Sequence, residues 1–294
     1  MRIALKNKNA SEILGCFETM DVEDGTIVEV EFLDSDVESF GYRGFVDLAQ
    51  LFFMKLLPPI KEDDLTTILR FKKLQRENSF HESSSGSEKY GVESEFFKID
   101  KTKEFTFLYH YQKALKFIDI ASKKRVLNLG VNRGDEFRVI KDMLTSDEFQ
   151  NIEFVGIDYS TSAIEYAKRD FLEDKNVKFI CHDINKLSEL DLGDFDIIVS
   201  IGTMQSSNIE FNATFMNIYQ NYLQKDGAMI LGFPNCRWID GEMIYGAKAP
   251  NYSFSEMSLV LKDIHFCKKY LQQKRYRVII TGKDYLCLTA RKII

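Results

Sequence analysis

The sequence is poor in the patterns that build disulfide frameworks and metal centres. Its five cysteines are spread over 294 residues, and no two of them form a CxxC pair. The four histidines are scattered in the same way. Disulfide scaffolds and structural zinc sites use closely spaced ligands, so this distribution argues against both, and we expect no metal ion.

Long apolar runs are also missing. The sequence has no run of about 18 apolar residues, which is the length that a membrane-spanning helix needs. Its N-terminal residues, MRIALKNKNASEIL, lack the apolar core of a signal peptide. We therefore expect a cytoplasmic protein with no membrane partner.

Positive charge is in deficit. The net charge is −6 at pH 7, and residues 18–38 carry nine acidic side chains without any Lys or Arg. Long-range attraction to nucleic acid requires a basic surface, so a small-molecule substrate is favoured, with RNA as the alternative. A basic cluster between Lys268 and Lys283 could contact RNA phosphates, but we favour a solvated helix face and hairpin end as its explanation.

Patterning divides the chain into a small α+β module (residues 1–76), a connector (77–104) and an α/β domain (105–294). In the module the patterns predict three strands, at GCFE from Gly15, over Thr26–Asp34 and over Leu65–Leu74. They also predict a helix over Gly44–Leu57, which ends because Pro58-Pro59 follows it. The helix is too apolar to stand alone, so it must pack on the sheet or on a partner. Substrate recruitment and homodimer formation are both open roles for the module.

The connector is polar, and HESSSGSEKYG lies at its centre. Richness in serine and glycine is typical of a mobile linker, which is the interpretation we favour. The alternative is a flap that orders over a bound ligand through its aromatic side chains. Those side chains are Phe80, Tyr90, Phe96 and Phe97.

The rest of the chain alternates strands with helices. The predicted strands are Arg125–Leu129, Glu153–Ile157, Val177–Cys181, Phe195–Ile201 and Ala228–Phe233, followed by an antiparallel hairpin of RVIITG and YLCLTARKI. Helices are expected over Thr106–Ala121 and Asp135–Leu144, from a capping box at Ser162, from about Ile209 to a C-cap at Gly227, and over Ser255–Gln272, with an irregular segment over Pro234–Tyr252. This alternation predicts an α/β fold with a Rossmann-like, mostly parallel seven-stranded sheet and an antiparallel terminal hairpin.

The carboxyl ends of the first strands carry the residues of a predicted ligand site. The turn from Gly130 to Gly134 allows the backbone to come close to a ligand, and Asp158 follows Gly134 by 24 residues, near the spacing at which an acid reaches ribose hydroxyls. Asp183 ends the next strand. In open α/β sheets ligands bind at this edge, beside the strand where the chain reverses its order.

These motifs resemble those of the class I S-adenosylmethionine-dependent methyltransferases over about Thr106 to Ile294. VLNLGVNRGDEF is similar to the family's glycine motif, VGIDYS to its acidic second motif and CHDI to its third, while FDIIVSIG and DGAMILGFP resemble the fourth and fifth strands. The resemblance implies a methyltransferase that uses S-adenosyl-L-methionine. The implied cofactor-binding residues are Asn128, Gly130, Asn132, Gly134, Asp158, Tyr159, Asp183, Ile184 and Gly202.

The resemblance also implies individual roles. Gly130 and Gly134 would line the methionine part of the cofactor, and Asp158 would hold the ribose hydroxyls. Asp183 would contact the adenine amino group with Ile184 packed on the ring, and Gly202 would lie near the sulfonium. Asn128 and Asn132 stand where the family usually has an acid and a glycine. These departures motivate a non-catalytic S-adenosylmethionine-binding protein as one alternative, and an RNA (tRNA) methyltransferase recruited through the N-terminal module is another.

Acceptor contacts are expected on the loops after the fourth and fifth strands. The predicted substrate-binding residues are Gln205, Asn235, Arg237, Trp238 and Asp240. Arg237 could clamp a carboxylate or phosphate, Trp238 could stack on a flat acceptor, and Asp240 could be a base. Each has an ordinary alternative: an ion pair of Arg237 with Glu242, a core position for Trp238, and a turn at Asp240-Gly241. Methyl transfer has no obligatory sequence position, so no catalytic residue is assigned.

Overall fold

The computed structural model describes residues 1–75, 90–246 and 258–293. Contacts between Cα atoms divide the chain into two compact units. The first comprises residues 1–83 together with 238–245, and the second comprises residues 84–237 and 246–294. A segment far along the chain is therefore part of the N-terminal unit.

The first unit is a four-stranded sheet with two helices. Its elements before the second unit are β1 (Arg2–Ala4), α1 (Ala10–Thr19), β2 (Ile27–Leu33), α2 (Asp34–Leu51), β3 (Met54–Lys61) and β4 (Thr66–Lys73). The strand order is β1-β2-β4-β3, with β1 parallel to β2 and the other pairs antiparallel. Every second residue of β2 is buried, and these side chains meet Phe17 of α1 and Phe45 of α2 in one core. The apolar face of α2 thus packs on its own sheet, and homodimer formation stays a prediction.

Two local predictions in this unit are wrong. The residues GCFE from Gly15 belong to α1 instead of a strand, because Asn9 and Glu12 form a capping box and Ile13 and Phe17 share one helical face. The predicted helix over Gly44–Leu57 ends at Leu51, and Pro58-Pro59 lies inside β3. Proline is tolerated there because β3 is an edge strand whose register shifts between Leu57 and Ile60.

A hairpin completes the first unit. The two strands are β10 (Cys236–Ile239) and β11 (Glu242–Tyr245), inside the segment that was predicted to be irregular. Ile239 and Ile244 are buried against Leu74, with Phe53 packed beside them. The ammonium group of Lys55 pairs with the carboxylate of Glu242. Apolar burial and an ion pair therefore hold this distant hairpin in the unit.

The second unit is built on a seven-stranded sheet. Its elements are α3 (Phe105–Phe117), β5 (Arg125–Leu129), α4 (Asp135–Met143), α5 (Ser146–Gln150), β6 (Glu153–Asp158), α6 (Thr161–Asp170), β7 (Val177–Cys181), β8 (Phe195–Ile201), α7 (Phe211–Asn221), β9 (Leu223–Pro234), α8 (Ser258–Gln273), β12 (Tyr276–Gly282) and β13 (Tyr285–Lys292). The strand order is β12-β13-β9-β8-β5-β6-β7. Strands β5 to β9 pair in parallel, and β13 pairs antiparallel with both β9 and β12. The predicted mostly parallel sheet with an antiparallel terminal hairpin is confirmed.

Helices cover both faces of this sheet. Successive strand residues point to opposite faces, so Val126 joins a core with α3 and α4, whereas Leu127 joins a second core with α7 and α8. Strand β5 pairs with β8 on one side and with β6 on the other. The chain therefore reverses its strand order at β5, which is where the glycine turn begins.

Two predicted helix caps in this unit are wrong. The N-cap of α6 is Ser160, whose hydroxyl accepts from the Ala163 amide, whereas Ser162 was predicted. The expected C-cap Gly227 lies inside β9, and α7 ends at Asn221. A Cβ at Gly227 would lie 3.0 Å from the carbonyl oxygen of Asp196, so close packing of β9 on its neighbour explains this glycine. In the described parts of the chain, no helix is long and apolar enough to cross a membrane.

Candidate active site

The glycine turn after β5 depends on three backbone conformations in the left-handed region. Gly130, Asn132 and Gly134 have φ values of 76°, 43° and 84°. Asn132 tolerates this conformation better than most side chains, which explains how it replaces a glycine. The amides of Gly130 and Val131 donate to the carbonyl of Ile157, 2.8 and 3.1 Å away. The turn is thereby fixed to the end of β6.

Asp158, at the end of β6, is held against this turn. One carboxylate oxygen accepts from the Asn132 amide (2.8 Å) and the other from the Ser160 amide (3.0 Å). The residue is 8% exposed, and burial raises its pKa while these backbone hydrogen bonds oppose the rise. Each oxygen has a second lone pair, so the carboxylate can still accept from a pair of ribose hydroxyls.

The predicted adenine-side residues follow β6 and β7. Asp183 accepts from the amide of Asn185 (2.9 Å) and caps the 3-10 turn Ile184–Glu189. Ile184 is buried in the core on the α7 side, and Tyr159 is 54% exposed. Asp183 thus has a structural role in this turn, and its contact with an adenine amino group stays a prediction.

The loop after β8 closes the other side of the turn. Gly202 has a φ of 76°, and its amide donates to the carbonyl of Gly232 (2.8 Å). Thr203 packs so closely on Gly130 that a Cβ at Gly130 would lie 1.8 Å from its hydroxyl oxygen. The side-chain oxygen of Gln205 is buried and has no hydrogen-bond partner among the described residues, so this amide can accept from a ligand.

The predicted acceptor residues after β9 fall into both units. Asn235 is buried, its amide donates to the carbonyl of Asp284 (2.6 Å), and Arg237 is also buried in the second unit. Trp238 is buried and belongs to the first unit, and Asp240 and Gly241 form the turn of the β10–β11 hairpin in that unit. Glu242, the alternative partner considered for Arg237, pairs with Lys55. Roles of these residues in acceptor binding stay predictions.

The sequence reasoning gave no role to the second half of the connector beyond its aromatic side chains. Within the second unit, the side-chain amide of Asn132 donates to the carbonyl of Tyr90 (2.9 Å), and the Val92 amide donates to the Ser162 hydroxyl (3.0 Å). Phe97 packs edge-on against Tyr166, with a centroid distance of 5.0 Å. Residues 90–104, which we call the cover segment, thus lie over the glycine turn. Phe80 lies outside the described residues.

The cover segment also brings a buried cation to the turn. The ammonium group of Lys101 pairs with the Glu136 carboxylate at 3.1 Å, and the Asn128 side-chain amide donates to the other oxygen of Glu136 (3.2 Å). Burial alone would lower the pKa of Lys101, but the carboxylates of Glu136 and Asp135 and the nearby Tyr285 raise it. No sequence signal pointed to Lys101, whereas Glu136 was present in the glycine motif without an assigned role.

These residues fit S-adenosylmethionine. A buried carboxylate with free lone pairs stands at the strand end where the ribose is expected. The side-chain oxygens of Asn128 and Gln205 are buried without a partner in the described part of the chain. A small cavity of about 10 Å³ lies beside the turn and is lined by the cover segment, the turn and the start of α4.

Comparison with known proteins gives the family. A family model described as a methyltransferase domain matches residues 120–281, which is more than half of the chain. A search of curated protein sequences found no match.

Several solved structures are similar in fold at low identity. The CurJ carbon methyltransferase is 11% identical with a TM-score of 0.44, and the alignment covers 71% of this chain but only 57% of that one. A precorrin-6y C5,15-methyltransferase from Geobacter metallireducens is 11% identical with a TM-score of 0.42, covering 62% and 87% of the two chains. A ribosomal protein L11 methylase from Lactobacillus delbrueckii subsp. bulgaricus is 13% identical with a TM-score of 0.42, covering 65% and 80%.

The family match rests on the same part of the chain as the site. Residues 120–281 include the glycine turn, Asp158, Asp183 and the loop after β8. The strand order places the antiparallel hairpin strand β13 between β9 and β12. The chain therefore belongs to the methyltransferase domain family.

Proposed function

We propose that the protein transfers the methyl group of S-adenosylmethionine to a small-molecule acceptor. The observation that carries this proposal is the cover segment. Four of its residues contact the side of the site where the strands end. Tyr90 contacts Asn132, and Val92 contacts Ser162. Phe97 contacts Tyr166, and Lys101 contacts Glu136. A site that the chain covers with its own residues suits an acceptor small enough to be enclosed.

The chemistry makes enclosure useful. The cofactor supplies an electrophilic methyl group on a sulfonium, and the acceptor must reach it in line. Asp158 and the glycine turn would hold and orient the ribose and methionine parts. The cover segment would exclude water and limit the geometry of approach, which lowers the entropic part of the barrier. This chain therefore acts mainly by positioning its two ligands.

Net charge supports the same choice of acceptor. The chain carries a net charge of −6 at pH 7, so its surface as a whole does not attract a phosphate-rich macromolecule at long range. Gln205, Asn235 and Arg237, all in the second unit, are our candidates for acceptor contacts. The five cysteines are free thiols, and from this we further propose a reducing compartment, the cytoplasm.

Labelled cofactor tests this proposal. The protein is incubated with methyl-labelled S-adenosylmethionine and a cell extract, which is then separated into small molecules, RNA and protein. We expect label in small molecules other than the cofactor itself, and much less of it with the Asp158→Ala variant. Label in ribonuclease-sensitive material would instead support the RNA alternative. Cofactor binding without label in any fraction would support the non-catalytic one.

A further inference from the structure

A buried ion pair beside the glycine turn is unexplained by the fold. The side chains of Lys101 and Glu136 are 10% and 2% exposed, with 3.1 Å between ammonium nitrogen and carboxylate oxygen. Removing two charges from water costs about as much as their attraction returns, so such a pair contributes little net stability. A buried pair of charges next to a ligand site is therefore better explained by binding than by folding.

Polar atoms around the pair lack partners. The side-chain oxygen of Asn128 and the hydroxyl of Tyr111 are buried and make no hydrogen bond to any described residue. Asn128 is fully buried, and its amide nitrogen already donates to Glu136. An unsatisfied buried acceptor is costly, so the free oxygen of Asn128 indicates that a donor from outside the chain belongs there.

The neighbouring charges are already matched to one another. The same small cavity is lined by Asp135 and Arg133 as well as by Lys101 and Glu136. Asp135 pairs with Arg133 at 3.2 Å and with Arg138 at 3.1 Å. Lys101 and Glu136 thus form a second pair of opposite charges at this cavity, separate from Asp135 and its two arginines.

We propose that Glu136 and Lys101 form the binding site for the zwitterionic amino-acid end of the cofactor. Glu136, with the oxygen of Asn128, binds the ammonium group. Lys101 binds the carboxylate group. This inference rests on the proposed function, because it takes S-adenosylmethionine as the ligand. It also couples the ligand to the cover segment, which carries Lys101.

Three ligands distinguish the contact with the ammonium group from the contact with the carboxylate group. Calorimetry on the full chain measures the affinity for each ligand. S-adenosylmethionine has both groups, its decarboxylated form keeps only the ammonium, and 5′-methylthioadenosine has neither. Lys101→Met should weaken S-adenosylmethionine roughly 10- to 100-fold and leave the decarboxylated form unchanged. Glu136→Gln should weaken both ligands that carry the ammonium. Binding of 5′-methylthioadenosine should stay the same in both variants.

Controls keep the test independent of folding. Lys103→Met removes a charge of the same type from the same 3-10 turn, where the side chain is 81% exposed, and should change no affinity. Because a single substitution leaves a buried charge unpaired, the double variant Lys101→Met, Glu136→Gln removes both charges. We expect it to unfold close to the wild-type temperature, and to bind S-adenosylmethionine and its decarboxylated form with nearly equal affinity.

Two results would overturn the inference. One is an equal loss of affinity for all three ligands, since that would indicate an indirect effect on the site. The other is a gain in affinity for S-adenosylmethionine in Lys101→Met, which would mean that the lysine only occupies the place of the ligand's ammonium. If the wild-type protein bound none of the three ligands, the proposed function itself would fail.

Discussion

Among single residues, Gly130 shows most clearly why the turn after β5 requires a glycine. It combines a left-handed φ of 76° with a neighbour, Thr203, that leaves no space for a side chain. Rotation of Thr203 gives no relief, because its Cβ would itself lie 2.6 Å from a Cβ at Gly130. The sequence motif predicted a tight turn here, but the second cause of the glycine lies 73 residues further along the chain.

Two glycine-to-alanine substitutions distinguish the cost of a left-handed backbone conformation from the cost of steric overlap with a neighbouring side chain. We expect Gly130→Ala to destabilise the second unit by about 1–3 kcal/mol more than Gly193→Ala, because only the former overpacks rigid atoms. Gly193 has a φ of 66° and would meet only the end of the Arg125 side chain, at 3.2 Å. Urea unfolding followed by circular dichroism measures the difference. Equal destabilisation of both variants would refute the packing argument.

Asp135 is a buried acid in the first turn of α4. Burial, and then the nearby Glu136 carboxylate, raise its pKa to about 6, while Arg133 and Lys101 oppose the rise. The folded chain therefore holds this proton more tightly than the unfolded chain, in which a carboxyl group has its ordinary pKa. The contribution of Asp135 to folding stability therefore falls as the pH rises from about 4 to about 6.

Removing the carboxyl group should remove this pH dependence. Relative to the wild type, Asp135→Asn should gain up to about 3 kcal/mol of unfolding free energy between pH 4 and pH 7. The difference between the two proteins cancels the titration of all other groups. Urea unfolding at several pH values gives it, with the exposed Asp191→Asn as control. A relative stability that does not change with pH, or that falls, would contradict the assigned burial of this charge.

Residues differ in how much the sequence could reveal about them. Asp158 and the turn could be located because their spacing along the chain reflects a local strand–turn–helix unit. Lys101 could not, since its partner Glu136 is 35 residues away and the contact depends on how the cover segment packs. Trp238 and Asp240 were placed with the acceptor loop by their position after β9, yet long-range contacts assign them to the first unit.

At the level of elements, the buried strands were predictable. Strands β5, β7 and β8 begin and end where the sequence patterns predicted, because apolar residues fill them and polar residues bound them. Predictions of helix ends were wrong where the same residue type also occurs in strands. Pro58-Pro59 indicated a helix stop but occupies an edge strand, and Gly227 indicated a helix cap but lies in a strand that packs closely on its neighbour.

The β10–β11 hairpin was missed because its stability comes from elsewhere in the chain. Its short strands bury Ile239 and Ile244 against Leu74, and no pattern within the hairpin indicates that partner. Its Asp240-Gly241 turn, with φ values of 50° and 73°, was recognisable and had been considered. The contacts, more than the turn, decide that the segment is ordered.

A core truncation tests the role of this hairpin. Ile244→Ala should destabilise the first unit by about 2–5 kcal/mol, as is usual for a large buried side chain. Ile60→Ala is the matched control, because that side chain is 42% exposed on β3 and its loss should matter little. The single tryptophan, Trp238, lies in the first unit, so its fluorescence during urea unfolding reports this unit. Equal effects of the two substitutions would mean that the hairpin does not support the unit.

For the whole molecule, the division into two units follows contacts and crosses the order of the chain. Prediction from sequence gave residues 1–76, 77–104 and 105–294 as successive parts, and these boundaries stay a prediction. The structure assigns residues 238–245 to the N-terminal unit and the cover segment to the C-terminal one. Composition indicates where one part of the chain ends and the next begins, but it does not reveal that a later segment packs in an earlier unit.

The central claim is that the edge of the sheet at β5 and β6 binds S-adenosylmethionine. Calorimetric titration of the full chain with this cofactor tests it most directly. We predict saturable binding by the wild type and by the exposed control Asp191→Ala, and binding that is roughly 10- to 100-fold weaker for Asp158→Ala, which loses a charged hydrogen-bond acceptor. Absence of binding by the wild type, or equal binding by Asp158→Ala, would contradict the claim.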